Sequence, residues 1–239
     1  MKILLSLLTL VLTLGSFAQT KTYIDPNAKT RSISGSFSKL SVSSGVQLYL
    51  TQGNETSLAI SVADPRYEER FKTEVEDGVL KIYYDNKGMN WSNDKNRKLK
   101  AYLSVKSLDA IKASAGSMVT VSNTFAAGDL TINSSSGAIL TGAFKAASIT
   151  ADVSSGAMIT ASGSAPKVTV SASSGAIFKG FGLTSQYCTA SANSGGAVNI
   201  EVQKELTASA NSGGGVTYKG NATVTKGTVN SGGSVRQGK

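Results

Sequence analysis

Seven glycines, at positions 116, 137, 156, 175, 195, 213 and 232, punctuate the second half of this chain at intervals of 21, 19, 19, 20, 18 and 19 residues. Each holds the same place in a short pattern, as in Val153-Ser154-Ser155-Gly156-Ala157-Met158-Ile159. A near-fixed period over that length marks a repeat architecture, in which one unit is too small to bury a core and neighbours must stack. Alignment on the glycine exposes three apolar rows. Seven residues before it stand Leu130, Ile149, Val168, Cys188 and Leu206. Five before it stand Ile111, Ile132, Ala151, Val170, Ala190 and Ala208, and three after it Val119, Leu140, Ile159, Phe178, Val198, Val216 and Val235. Within each arm the rows share parity, so in an extended chain they point to one side.

The units are filled with Ser, Thr, Gly and β-branched residues, which argues against helix. A leucine-rich repeat would show Leu-x-x-Leu-x-Leu with an Asn, and a propeller blade needs about 40 residues. Calcium-binding nonapeptides need a regular Asp, whereas only Asp129 and Asp152 occur across the first several units. The pattern predicts an all-β fold: a parallel β-helix, or β-solenoid, whose ~19-residue coils each add about 4.8 Å along the axis. Gly116, Gly137, Gly156, Gly175, Gly195, Gly213 and Gly232 are then structural corners, supplying the positive φ of a bend. The residues before them, Ser136, Ser155, Ser174, Ser194, Ser212 and Ser231, are expected to stack in a column. So are Ser135, Ser154, Ser173, Asn193, Asn211 and Asn230. Their side chains are expected to pass hydrogen bonds from coil to coil, as Asn ladders do between stacked strands.

Ahead of the repeats, alternation over Val46–Leu50 and Leu58–Val62 predicts half-buried strands, with Gln52-Gly53-Asn54-Glu55 as a hairpin loop between them. Pro65 suits the first position of a helical turn. Lys72–Glu76, Val79–Tyr84 and Lys100–Val105 read as further strands, the first two joined by a tight turn at Asp77-Gly78. The expected organisation is a signal peptide over 1–18, an N-terminal β-rich part over 19–107 capping the solenoid with strands and hairpins, and repeats over 108–239. The last two form one continuous domain.

Lys2, the apolar run Ile3–Leu14 and the small-x-small site Ser16-Phe17-Ala18 form a secretory signal, with Gln19 as the expected mature start. The run is shorter than the ~20 residues a membrane span needs, and no later stretch reaches that length. No cysteine follows the cleavage site, so a lipid anchor there is not expected. An exported protein held in the periplasm or at the cell surface follows. The formal charge is +9. Residues 19–112 carry 15 basic and 11 acidic side chains and residues 113–239 carry 8 and 4, without a basic stripe. Such a balance fits solubility or loose attraction to anionic envelope polymers, and no nucleic-acid partner is expected.

The chain has no histidine, which removes the commonest general base and metal ligand and any Ser-His-Asp set. The acids of the repeats, Asp129, Asp152, Glu201 and Glu205, form no pair on adjacent coils such as a polysaccharide-acting β-helix enzyme would need. Asp152 falls on an outward position. Glu74 and Glu76 share a strand face beside a tight turn, where acids are ordinary. No catalytic, metal or cofactor site is therefore expected, and no cofactor. Cys188 lies in an apolar row and reads as packing. Trp91, the only tryptophan, sits in the polar stretch Asp85–Arg97 and is the one candidate for ligand contact, by stacking on a sugar or inserting into a partner. The competing reading has its ring covering the N-terminal sheet.

The opening Phe37-x-x-Leu40-x-Val42-x-x-Gly45-Val46-x-Leu48, the hairpin Asp77-Gly78-x-Leu80-x-Ile82 and the Ser-Gly-Ala coils resemble the head GIN domain family of putative auto-transporter adhesins. The likeness runs from about Ser32 to about Val235. The resemblance implies an exported β-helical domain of Bacteroidetes-type bacteria with an adhesive role, and it brings no catalytic or binding motif. A non-enzymatic interaction module of the cell envelope, meeting a glycan or a protein, is the expected function. A β-helix enzyme and a purely structural assembly protein are the alternatives. The final coil, with Thr225, Gly227 and Val229 counted into its inward rows, is poor in large apolar residues, and weak self-association through that end is expected. Mass spectrometry of protein recovered from the periplasm or medium should show Gln19 at the amino terminus; an intact Met1 would refute export by cleavage.

Overall fold

The computed structural model describes residues 25–88 and 97–238. The expected signal peptide and Trp91 lie outside the described residues. Four strands open the chain: β1 (Lys29–Arg31), β2 (Lys39–Val42), β3 (Gln47–Gln52) and β4 (Ser57–Ser61). A turn of 3-10 helix follows at Pro65–Tyr67, where the Asp64 carboxylate accepts from the Arg66 N–H, so the capping side chain satisfies a donor that the helix start leaves free. β5 (Phe71–Glu76) and β6 (Val79–Tyr84) form an antiparallel hairpin. Its turn residues Asp77 and Gly78 have φ of 51° and 72°, the left-handed pair of a type I′ turn. β7 (Lys100–Val105) and β8 (Ala110–Ala113) lead into the repeats. These comprise β9 (Met118–Ser134), β10 (Ile139–Val153), β11 (Met158–Ser164), β12 (Lys167–Ala172) and β13 (Ile177–Ala192). They continue through β14 (Ala197–Ala210), β15 (Gly215–Lys219), β16 (Thr223–Val229) and β17 (Ser234–Gln237).

The fold is the expected β-solenoid. Every coil-to-coil pairing in the repeats is parallel. Each coil has three sides, as the pairing of β10 with β9 shows. Residues 139–141 lie on 118–120 (first side), 143–146 on 124–127 (second side) and 148–153 on 129–134 (third side). All three predicted rows point inward: Leu130, Ile132, Ile149, Val168 and Leu206 are at most 1 % exposed, and Phe178 and Val198 are fully covered. Phe125 and Phe144 pair in register on the second side, both fully buried. Burial of such side chains stabilises by about 1.5–3 kcal/mol each, and coil stacking is what supplies it.

The corners carry more strain than the sequence showed. Besides the glycines, with φ between 68° and 78°, the residue before each is also left-handed: Ala115, Ser136, Ser155, Ser174, Ser194, Ser212 and Ser231 have φ of 47° to 52°. The Ala138 N–H donates to the Ser135 carbonyl at 3.1 Å and the Ala157 N–H to that of Ser154, so each corner is a type I′ turn. The ladder differs from expectation. The corner glycine N–H donates to the serine carbonyl of the next coil, as in Gly137 to Ser155, Gly156 to Ser174 and Gly195 to Ser212, each at 3.0 Å. The left-handed serines point their hydroxyls into solvent, because a residue at the tip of a turn turns its side chain off the stack. Among the described residues the only side-chain rung of these columns is Asn211 Nδ2 to Asn193 Oδ1, at 3.2 Å.

The N-terminal part departs from the predicted hairpin between β3 and β4. β7 lies between them, parallel to β3 and antiparallel to β4. The other edge of β3 already stacks on β9, and a strand has only two edges. β2 and β3 form a coil of their own, turning at Ser44 (φ 58°) and Gly45 (φ 73°), and the Gly45 N–H donates to the Ala115 carbonyl. Gly45 thus heads the corner column. Outside this coil, β6 stacks on β2 and β7 on β3. The antiparallel strands β5 on β6, β4 on β7 and β1 on β4 then close that end.

At the other end the last coil carries one extra residue. Leu206 pairs with Val224 and Ala208 with Lys226, but Ala210 pairs with Val229. Thr225 therefore faces outward and Gly227 falls in the irregularity, so of the three residues counted inward only Val229 keeps that row.

A β-carbon at Gly156 would meet nothing within 4 Å, so a substitution there is opposed by φ alone. Gly156→Val should lower stability in thermal unfolding by about 1–3 kcal/mol, and Gly156→Asn, whose side chain tolerates the left-handed region, by clearly less. Equal melting of both variants and the parent would remove strain as the reason for glycine.

Candidate binding face

The outward residues of the third side stack as strictly as the inward ones. Thr131, Thr150, Thr169, Thr189, Thr207 and Thr225 occupy one column, each paired with the next. Neighbouring strands lie about 4.8 Å apart. Two residues along each strand runs a second column, Asn133, Asp152, Ser171, Ser191 and Ser209. Among the described residues none of the six threonine hydroxyls makes a hydrogen bond within the chain. Threonine suits a strand because its branched β-carbon packs on the pleat, and its hydroxyl stays available to solvent or a ligand.

On the opposite flank the column reads Asp129, Ser148, Lys167, Tyr187, Glu205 and Thr223. Tyr187 is 42 % exposed and Lys204 Nζ stands 5.6 Å from its ring centroid. This aromatic was missed in the sequence, although its outward parity, one residue before the buried Cys188, was a usable signal. Ser148 donates to Asp129 at 2.5 Å, Gln203 donates to Glu201, and Asp152 is exposed, as its outward position predicted.

The first side is different. One of its outward columns, Met118, Ile139, Met158 and Ile177, is apolar, Met118 and Ile139 being 41 % and 39 % exposed. The column two residues along carries Thr120, Thr141 and Thr160 before Lys179. Beside it Tyr49 stacks on Tyr102 with ring centroids 5.2 Å apart. The Tyr102 hydroxyl donates to Asp25 at 2.9 Å. The Asn27 backbone N–H, then this hydroxyl, hold the Asp25 carboxyl below its ordinary value, while burial and the Asp25 carboxylate push the Tyr102 phenol up.

Glu74 accepts from the Tyr83 hydroxyl at 2.6 Å, which pushes that phenol up to about 12, and Glu76 pairs with Lys81. These acids are tied to their own hairpin. Among the described residues no group of three or more His, Cys, Asp or Glu could hold a metal ion, and no helix is long and apolar enough to cross a membrane. A hollow of ≈ 530 Å³ near the cap is lined by Arg31, Ile33, Phe37, Leu58 and Lys106, among others, away from the threonine column.

The architecture defines a capped β-solenoid whose third side carries an unbroken outward column of six threonines. The chain belongs to the family described as "putative auto-transporter adhesin, head GIN domain", which matches residues 36–222. Among solved structures it is similar to a protein described as a putative adhesin from Bacteroides fragilis, with a TM-score of 0.79 at 18 % identity, over 88 % of this chain and 95 % of that one. Another protein so described, from Parabacteroides distasonis, gives 0.69 at 22 % identity over 88 % and 95 %. A protein from Parabacteroides distasonis described as a putative lipid-binding protein gives 0.61 at 16 % identity over 90 % and 98 %. At these identities the likeness is one of fold. No curated protein matches the chain.

Cys188 is buried, and burial pushes its thiol up to about 12, against about 8.5 in an unfolded chain. The folded state favours the neutral thiol, so this contribution to stability is complete below the unfolded value and is lost as pH rises towards the folded one. A maleimide at neutral pH should label Cys188 only after denaturation; rapid labelling of native protein would overturn its packing role.

Proposed function

We propose that this chain is an exported, non-enzymatic protein of the cell envelope that binds an envelope glycan across the third side of its solenoid. The observation that carries the reading is the column of six in-register threonines whose hydroxyls make no bond within the chain, flanked by the exposed Tyr187. Hydroxyls at a repeated spacing suit a polymer that presents its own hydroxyls at intervals. An exposed tyrosine offers a ring for a sugar face and a polar tip for the solvent. A rigid stacked backbone holds all of these in place before binding, which lowers the ordering cost of association.

Export is supported by the leader-like start of the sequence and by the adhesin description of the family, and a periplasmic or cell-surface location follows from export. The non-enzymatic reading is supported by the scattered acids of the repeats. Catalysis at a glycosidic bond needs two carboxyl groups facing one point, and Asp129, Asp152 and Glu205 fall in separate columns or on separate coils.

Purified protein screened against immobilised envelope glycans should retain at least one of them. Tyr187→Ala should weaken that binding by about tenfold, the scale of 1–2 kcal/mol for an exposed aromatic contact. Thr169→Val with Thr189→Val keeps the shape and removes two hydroxyls, and should weaken it further. Retention unaffected by all three changes would move the ligand to another side of the solenoid.

A further inference from the structure

The last coil breaks one row of the core. Ile132, Ala151, Val170, Ala190 and Ala208 stack in register, each at most 2 % exposed. The next member of that row is Lys226, paired with Ala208. Paired residues of a parallel ladder point to the same side, so Lys226 leaves its strand on the core side. Its side chain is exposed, which places the ammonium at the open end of the stack rather than within it.

Immediately after Lys226 the ladder slips: Ser209 faces an extra residue at Gly227-Thr228. Among the described residues β16 pairs only with β14, and β17 only with β15. Their outer edges therefore present unpaired N–H and C=O groups, with Val224 and Val229 topping the core, Val229 at 39 % exposure. An edge of this kind is a template for another strand. A second copy of the same end is the self-complementary choice, since a two-fold contact closes after two chains.

Two features at this edge act against such pairing. A β-bulge twists a strand out of register with an incoming partner, and an inward-pointing charge has to be buried if one docks. No acid in the terminal coils could neutralise it: after Glu205 the sequence has Lys219, Lys226, Arg236 and Lys239 and no Asp or Glu. In a two-fold stack the Lys226 ammonium would meet either the partner's valines or the partner's own lysine, and both place a charge out of water without a counter-charge.

We propose that Lys226, together with the bulge at Gly227, terminates the solenoid and closes its C-terminal end to a second copy. The self-association expected from the thin last coil is replaced by a built-in block to it. The opposite end needs no such device, because antiparallel β5, β4 and β1 already cover it.

The test is the mass of the purified protein by light scattering over a wide concentration range, with circular dichroism to verify folding. Lys226→Val restores the apolar row and should at least double the mass at high concentration, while Lys226→Arg keeps the charge and should keep the parent's mass. A folded Lys226→Val protein with the parent's mass overturns the proposal. So does a parent whose own association disappears when a second inward lysine is added by Val224→Lys.

Discussion

The hydrogen bond from each corner glycine to the serine carbonyl one coil further on sets the register of the whole stack. Six such bonds, from Gly116 through Gly213, run at 3.0–3.1 Å, and Gly45 extends the series over the first coil. The geometry depends on two successive left-handed residues, which aim the glycine N–H along the solenoid axis. In a strand a slip of one residue turns every side chain to the opposite face. A corner that cannot slip therefore keeps the apolar rows inside on every coil.

Coil lengths nevertheless vary from 18 to 21 residues, and the variation is absorbed away from the corners. Up to the last coil the register breaks at Thr141/Ala143, Thr160/Ser162, Gly180/Thr184 and Ser185/Tyr187, along the second side or where it meets its neighbours. Only the last coil breaks on the third side, between Ala208 and Ala210. From Thr131 to Thr207 the threonine column runs unbroken. Regularity of the outward hydroxyls is thus a consequence of where the slack was placed. A second tightening occurs at the corners themselves. Ala138, Ala157 and Ala176 follow the earlier glycines, whereas Gly196, Gly214 and Gly233 follow the later ones, where a β-carbon would fall 2.0–2.3 Å from the carbonyl oxygens of Ala172, Ala192 and Ala210.

The two ends of the stack are managed by opposite means. At one end the strand direction reverses: β4 and β5 run antiparallel to the coils they cover, so the parallel ladder has no continuation. At the other end the direction is unchanged, and the departures are a single lysine in a core row and a single extra residue. Reversal needs a long excursion of chain, residues 53–107, between one coil and the next. That excursion separates Gly45 from Gly116 in sequence while leaving them stacked in space.

The repeat period, the inward rows, the corner glycines and the buried Cys188 were legible in the sequence, because parity and spacing along one strand are local properties. Glycine at a bend also announces itself, since few other residues accept positive φ. Position in the stack is not local. That Gly45 is the first corner, that β7 separates β3 from β4, and that Lys226 rather than Gly227 enters the core row all depend on which chain segments lie side by side. The serine at each corner proved left-handed for the same reason: its strain is tolerated because its carbonyl finds a glycine N–H on the neighbouring coil. The sequence by itself determined a β-solenoid and which side chains fill it. Tertiary structure alone decided the order of coils, the closure of each end and the entry of Thr225 into the threonine column, which its spacing from Gly232 would have placed one residue off.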